Sequence, residues 1–145
     1  MRLTPDYPPV WLAGSLGLAW MTGRILSLSS WPATGAILCI AGFAMMAWAA
    51  IFMLRHRTTV DPHGNPTALV TTGPFRWSRN PIYLGDALIL TGACLWFGAW
   101  PLTPFLVWGF VYIITTRFIR PEETRLETAF PAQFAAFSTR TRRWI

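Results

Sequence analysis

Two short stretches of this sequence carry the residue types that can do chemistry. The first runs Thr71-Thr72-Gly73-Pro74-Phe75-Arg76-Trp77-Ser78-Arg79-Asn80-Pro81-Ile82-Tyr83-Leu84-Gly85, followed at once by Asp86. The second runs Arg117-Phe118-Ile119-Arg120-Pro121-Glu122-Glu123-Thr124-Arg125-Leu126-Glu127. In the first, Pro81 suits the opening turn of a helix, where its missing N–H costs nothing, and Asn80 before it is expected as the N-cap. A helix that starts there, ringed by Arg76, Arg79, Asn80 and Tyr83, offers free N–H groups and guanidinium charge to a carboxylate. In the second, Pro121 is expected to break one helix and start another, with Glu122 and Glu123 in the first turn of the new one. Taken alone, the same residues also describe a capped helix whose arginines reach for headgroups, and acids paired with Arg117 and Arg120. Asp86 likewise has two readings, a functional acid inside a span or a partner for Arg24 or Arg117.

The elements that must position these groups are apolar. Of 145 residues, 53% are of the AVILMFWYC set and only 12% are charged, against about 25% in an average soluble domain. Nine Trp and ten Phe and a mean hydropathy of +0.39 exclude disorder and exceed what a small soluble domain can hide. Four segments come close to the length of about 20 apolar residues that a bilayer requires: 10–28, 33–54, 82–100 and 102–119. The first is expected to be a retained helix rather than a signal peptide, because Met1-Arg2 is a thin basic region and no A-x-A site follows. The expected fold is all-α: one polytopic membrane domain over 1–145, with four transmembrane helices and a C-terminal cytoplasmic amphipathic helix. That last helix shows as a stripe of Leu126, Ala129, Phe130, Phe134 and Phe137, interrupted near Ala129 or Phe130 by Pro131.

Charge sets the expected orientation. The chain has twelve Arg, no Lys and six acids, giving +6. Ser29-Ser30-Trp31-Pro32 and Trp100-Pro101 carry no charge, whereas Arg55, Arg57, Arg76 and Arg79 fill the loop 55–81, and five arginines occupy the tail 120–145. Basic segments stay inside, so both termini, the loop and the tail are expected on the cytoplasmic face, with Trp31 and Trp100 at interfaces. The arginines then serve topology and lipid headgroups, and no folded basic domain exists to hold nucleic acid. Cys39 and Cys94 sit in apolar runs, and His56 and His63 lack a third ligand, so neither a disulfide framework nor a metal site is expected. Gly35, Gly42 and Ala49 form a small-residue row on the second helix, expected to pack within the chain rather than against a neighbour, and the chain is expected as a monomer or weak homo-oligomer.

Gly73-Pro74-Phe75-Arg76, Ser78-Arg79-Asn80-Pro81-Ile82-Tyr83-Leu84-Gly85 and, beyond the next apolar spans, Arg120-Pro121-Glu122-Glu123 with Leu126, Phe130, Phe134 and Phe137 resemble a known pattern. It is that of the integral-membrane isoprenylcysteine carboxyl methyltransferase and phospholipid methyltransferase superfamily, and the resemblance covers Ala68 to Ile145 with both motifs in order. It implies S-adenosylmethionine as methyl donor at the cytoplasmic surface. Carried over, Arg79, Asn80 and Tyr83 line the cofactor pocket, Gly73 and Gly85 allow close backbone approach, and Glu122 and Glu123 bind its cationic parts. Asn80 stands where many members have His, and Pro131, Phe134 and Phe137 replace a Gly and two Tyr. The implied acceptor is lipophilic, a carboxylate, an amine or a thiol. Arg117 is expected to orient a carboxylate, and Asp86 or Glu122 to act as base for the others. Two other functions fit less well: a sterol-type membrane reductase using NADPH, and a membrane accessory protein without catalysis. Abundant Arg, Ala and Trp without Lys suggest a GC-rich bacterial genome and hence an inner-membrane location.

Overall fold

Proline stands first or second in each α-helix of the described residues, the place that suits it best at a true helix start, which all but α5, a continuation of the helix before it, have. These helices are α1 (Pro8–Leu26), α2 (Pro32–Arg55), α3 (Pro81–Phe97), α4 (Thr103–Ile114), α5 (Arg120–Ala129) and α6 (Pro131–Arg140). The computed structural model describes residues 6–145, so the Met1-Arg2 pair lies outside it. No strand occurs among the described residues. The expected spans fall on α1 to α4 with ends shifted by a few residues. The third ends early, at Phe97, because Gly98 takes the left-handed conformation (φ 75°) and closes the helix.

One expected break is absent. The helix that begins at Trp100 runs without interruption to Ala129, straight through Pro121. Its turn widens over Thr115–Ile119 into a π-helix, and the Arg120 N–H donates to the Thr115 carbonyl, five residues back. In a regular α-helix the ring of Pro121 would collide with the carbonyl of Arg117, four residues earlier. The wider turn makes room for it. The second expected break, at Ala129 and Phe130, is where α5 ends and α6 begins.

The small-residue row of α2 is used inside the chain. A Cβ on Gly42 would stand 2.6 Å from the Gly85 carbonyl oxygen, and one on Gly85 would stand 2.7 Å from that of Gly42. Gly35 and Gly92 face each other in the same way, at 2.6 and 2.5 Å. The two antiparallel helices therefore touch backbone to backbone, as small residues allow in a bilayer. Ala49 continues the row under the loop, in a cluster with Val70, Phe75, Phe134 and Phe137. Thus α6 turns its Phe face onto the protein, with Leu126 packed alongside, while Ala129 of the expected stripe faces outward. A second cluster joins α1, α3 and α4 through Ala19, Leu90, Cys94, Phe110, Ile114 and Phe118.

Large apolar residues also cover the outside: Ile37, Ile40 and Phe43 on α2, Phe105, Trp108 and Tyr112 on α4, and Trp20 and Ile25 on α1 are all exposed. Trp31 and Trp100 are exposed at the chain turns, 56% and 45%, as interfacial aromatics should be. Two helices are long and apolar enough to cross a membrane, Pro32–Arg55 and Trp100–Ala129; Pro81–Phe97 is apolar but shorter.

Candidate functional site

The start of α3 is built by a turn before it. Gly73 takes φ 62°, where a side chain is strained, and opens a 3-10 turn over Gly73–Arg76 that buries Pro74 and Phe75. Ser78, 1% exposed, then accepts the Asn80 N–H at 3.1 Å and fixes the turn into the helix. The Asn80 side chain does not cap α3, contrary to expectation. Its Nδ2 donates instead to the Arg143 carbonyl at 2.9 Å. Ser78 Oγ donates to the same oxygen at 3.3 Å, and the Arg79 N–H donates to the Arg142 carbonyl at 2.9 Å. The end of the chain lies across the start of α3 and is held there by donors of Ser78, Arg79 and Asn80, just ahead of the helix.

From this platform the two chemistry-bearing stretches meet. Tyr83 Oη donates to Glu122 Oε2 at 3.4 Å. Arg79 Nη1 lies 3.2 Å from Glu123 Oε1, and the Arg79 guanidinium stands over the Phe134 ring at 5.8 Å. Arg143 also grips Glu123, with its closest contact at 2.6 Å, and that hydrogen-bonded carboxylate holds the Arg143 guanidinium above its ordinary pKa. Arg125 donates to the Pro62 carbonyl and ties the loop to α5. Among the described residues, two buried guanidinium donors, Nε of Arg79 and Nε of Arg125, find no acceptor.

Beside this network lies a cavity of about 470 Å³, within the size range of small-molecule sites. Its wall is mostly apolar, with Met46, Met53, Phe75 and Ile82, and its polar groups are Arg79, Asn80, Tyr83, Asp86, Glu122 and Asp61. Tyr7 to Pro9 and the loop at Asp61 and Pro62 border it as well. A narrow recess of about 50 Å³ adjoins it under α6, also lined by Arg79, Asn80 and Glu122, and by Glu123, Phe134 and Phe137. Asp86 is 4% exposed and faces the larger cavity. Among the described residues no ion pair or side-chain hydrogen bond engages it, so neither expected partner, Arg24 nor Arg117, is used.

Several sequence expectations place differently. Arg117 does not border the cavity. It pairs with Asp6 at 3.3 Å and lies over the Trp11 ring at 5.4 Å, in a groove between α1 and α4. Gly85 and Gly73 do not border it either: Gly85 is pressed against Gly42 and Met46, and Gly73 against the Phe52 ring, so both serve packing on α2. Glu123 is turned away from the larger cavity with its oxygens already held by two arginines, and only Glu122 of the acid pair faces it. Sequence reasoning missed Asp61, Arg125 and Arg143 as members of the site. Arg125 and Arg143 find their partners far away in the chain, and Asp61, bonded to its near neighbours Thr59 and His63, reaches the cavity through the path of its loop.

Fold and site together define a helical membrane protein with a charged pocket at one end of its apolar bundle. The family model of the phospholipid methyltransferases matches residues 30–133, and the chain belongs to that family. The match begins ahead of α2 and ends within α6, so it takes in both stretches that meet at the pocket. No curated protein and no solved structure matches the chain.

Proposed function

We propose that this protein transfers a methyl group from S-adenosylmethionine to a lipophilic acceptor, at the cytoplasmic face of a bacterial inner membrane. In this reading α1 to α4 all cross the bilayer, and both termini, the loop 55–81 and the tail stay inside. The observation that carries it is that Arg79, Tyr83 and Glu122 line one cavity, where the Arg79 guanidinium keeps a buried Nε–H without an acceptor among the described residues. A donor left so in a native interior calls for a partner. The groups present fit a ligand with both a carboxylate and cationic centres: Arg79 suits the first, and Glu122 suits the second.

S-adenosylmethionine, when bound, supplies an activated methyl group on a sulfonium, so no protein nucleophile or metal has to do that work. The chain's part is alignment and exclusion of water. Arg79 and Asn80 hold the ligand's polar end, and Tyr83 fixes the orientation of the Glu122 carboxylate. The apolar wall from Met46 to Ile82 takes the acceptor's hydrocarbon, which enters sideways from the lipid. Asp86, deeper along α3, is the base for an amine or thiol acceptor; a carboxylate acceptor needs none. Arg117, paired outside the cavity, has no part in the site.

Calorimetric titration of the detergent-purified protein with S-adenosylmethionine tests this. Binding is expected, weakened about tenfold by Arg79→Ala, the loss of one charge-assisted contact. A titration without heat, or displacement of the ligand by NADPH, overturns the proposal. Mass spectrometry of membrane lipids after incubation with a heavy-methyl donor identifies the acceptor.

A further inference from the structure

One carboxylate cannot neutralise two guanidiniums. Glu123 stands between Arg79 and Arg143, and its oxygens are taken unequally. Arg143 Nε donates to Oε1 at 3.0 Å and Oε2 at 3.2 Å, and its terminal nitrogen reaches Oε2 at 2.6 Å. Arg79 keeps a single contact, 3.2 Å to Oε1. The planar fork that fits a carboxylate face-on is therefore that of Arg143. Arg79 is left with excess positive charge and an enclosed Nε–H that no described residue accepts.

The main chain repeats the same arrangement. Arg142 and Arg143 present their carbonyls to the Arg79 N–H and the Asn80 amide, and Trp144 Nε1 donates to Thr115 Oγ1 at 3.1 Å. The end of the chain is thus fastened on both sides of Glu123. Arg143 is 36% exposed along its side chain and does not border the larger cavity, so it acts through its neighbours.

We propose that Arg143 is a positioning residue for anion recognition: by engaging Glu123 it keeps Arg79 uncompensated and free to bind the carboxylate of the cofactor, an inference that rests on the cofactor reading above. Without Arg143, Glu123 closes on Arg79 as a full counter-ion, and the pocket loses its surplus charge. Cationic and apolar parts of a ligand would not sense the change. Lysine at position 143 would keep the charge but, as a compact point donor, would lose the fork.

The test compares S-adenosylmethionine with its decarboxylated analogue, titrated into the full chain in detergent, with a melting curve for each variant. Arg143→Ala is expected to weaken S-adenosylmethionine about tenfold and the analogue less than about twofold, with Arg143→Lys between wild type and Ala. In a Glu123→Gln background no counter-ion remains to be held away, and Arg143→Ala is expected to change the preference by less than about twofold. Equal weakening of both ligands, no weakening of either, or a full effect persisting in the Glu123→Gln background would each overturn the proposal. Should Arg143→Ala fail to fold, the lysine variant carries the same comparison: an unchanged preference overturns it. A wild-type protein that binds neither ligand removes the cofactor reading itself, and this inference with it.

Discussion

The seam between α2 and α3 and the charged end of the bundle join distant parts of the chain by opposite means. At the seam, Gly35, Gly42, Gly85 and Gly92 bring two backbones together without any charge, with Met46, Ile89 and Cys39 packed alongside. At the charged end, contact is made through long side chains: Arg79 and Arg143 on Glu123, Tyr83 on Glu122, and Arg125 on the loop. The seam leaves nothing unsatisfied and has no room to change. The charged end holds surplus donors, an unpaired acid at Asp86 and open volume. Rigidity and ligand readiness are thus divided between regions only a few helical turns apart.

Three substitutions and one control break or sharpen this contrast, from the largest expected effect to the smallest. Gly42→Leu drives a side chain into the Gly85 carbonyl and Ile89; it is expected to cost about 3 kcal/mol or more and to lower the melting temperature sharply. Gly14→Leu is its control, since a Cβ there meets nothing within 4 Å, and it should melt like wild type. Glu123→Ala leaves two guanidiniums facing each other around a site where Arg79 and Glu123 are each 14% exposed. A loss of about 2 kcal/mol in thermal or denaturant unfolding is expected, short of a fully buried pair because Arg143 meets solvent. Arg117→Ala breaks a half-exposed pair. It is expected to cost less than about 1 kcal/mol and to leave cofactor affinity unchanged; a large fall in affinity would return Arg117 to the site.

What the sequence makes legible is whatever depends on neighbours in the chain. Pro81 at the head of α3, the break at Phe130 and the inward use of Gly35 and Gly42 all follow from local spacing. The motif pair also foretells that Tyr83 and the acids of α5 meet. Partner choice is not legible. Local spacing makes Asn80 the cap of its own helix, but the Arg143 carbonyl, 63 residues later, takes its amide. Charge and span match Arg117 to Asp86, whereas Asp6 lies nearer, beside the start of α1. Glu123 reads as a carboxylate awaiting a cationic ligand, and two arginines from opposite ends of the site already hold it. Each of these outcomes is decided by tertiary distance, which composition and period do not encode.

The widened turn at Thr115–Ile119 has a consequence for aim. A helix advances about 100° per residue, so one extra residue within a single turn rotates every later side chain by that angle. Glu122 and Glu123 therefore point where they do, toward α3 and the chain end, by virtue of a phase shift set a few residues upstream. Rewinding Thr115–Ile119 as a regular α-helix at unchanged length would swing both acids about a quarter-turn off target, whereas deleting one residue there would close the wide turn and leave their aim in place.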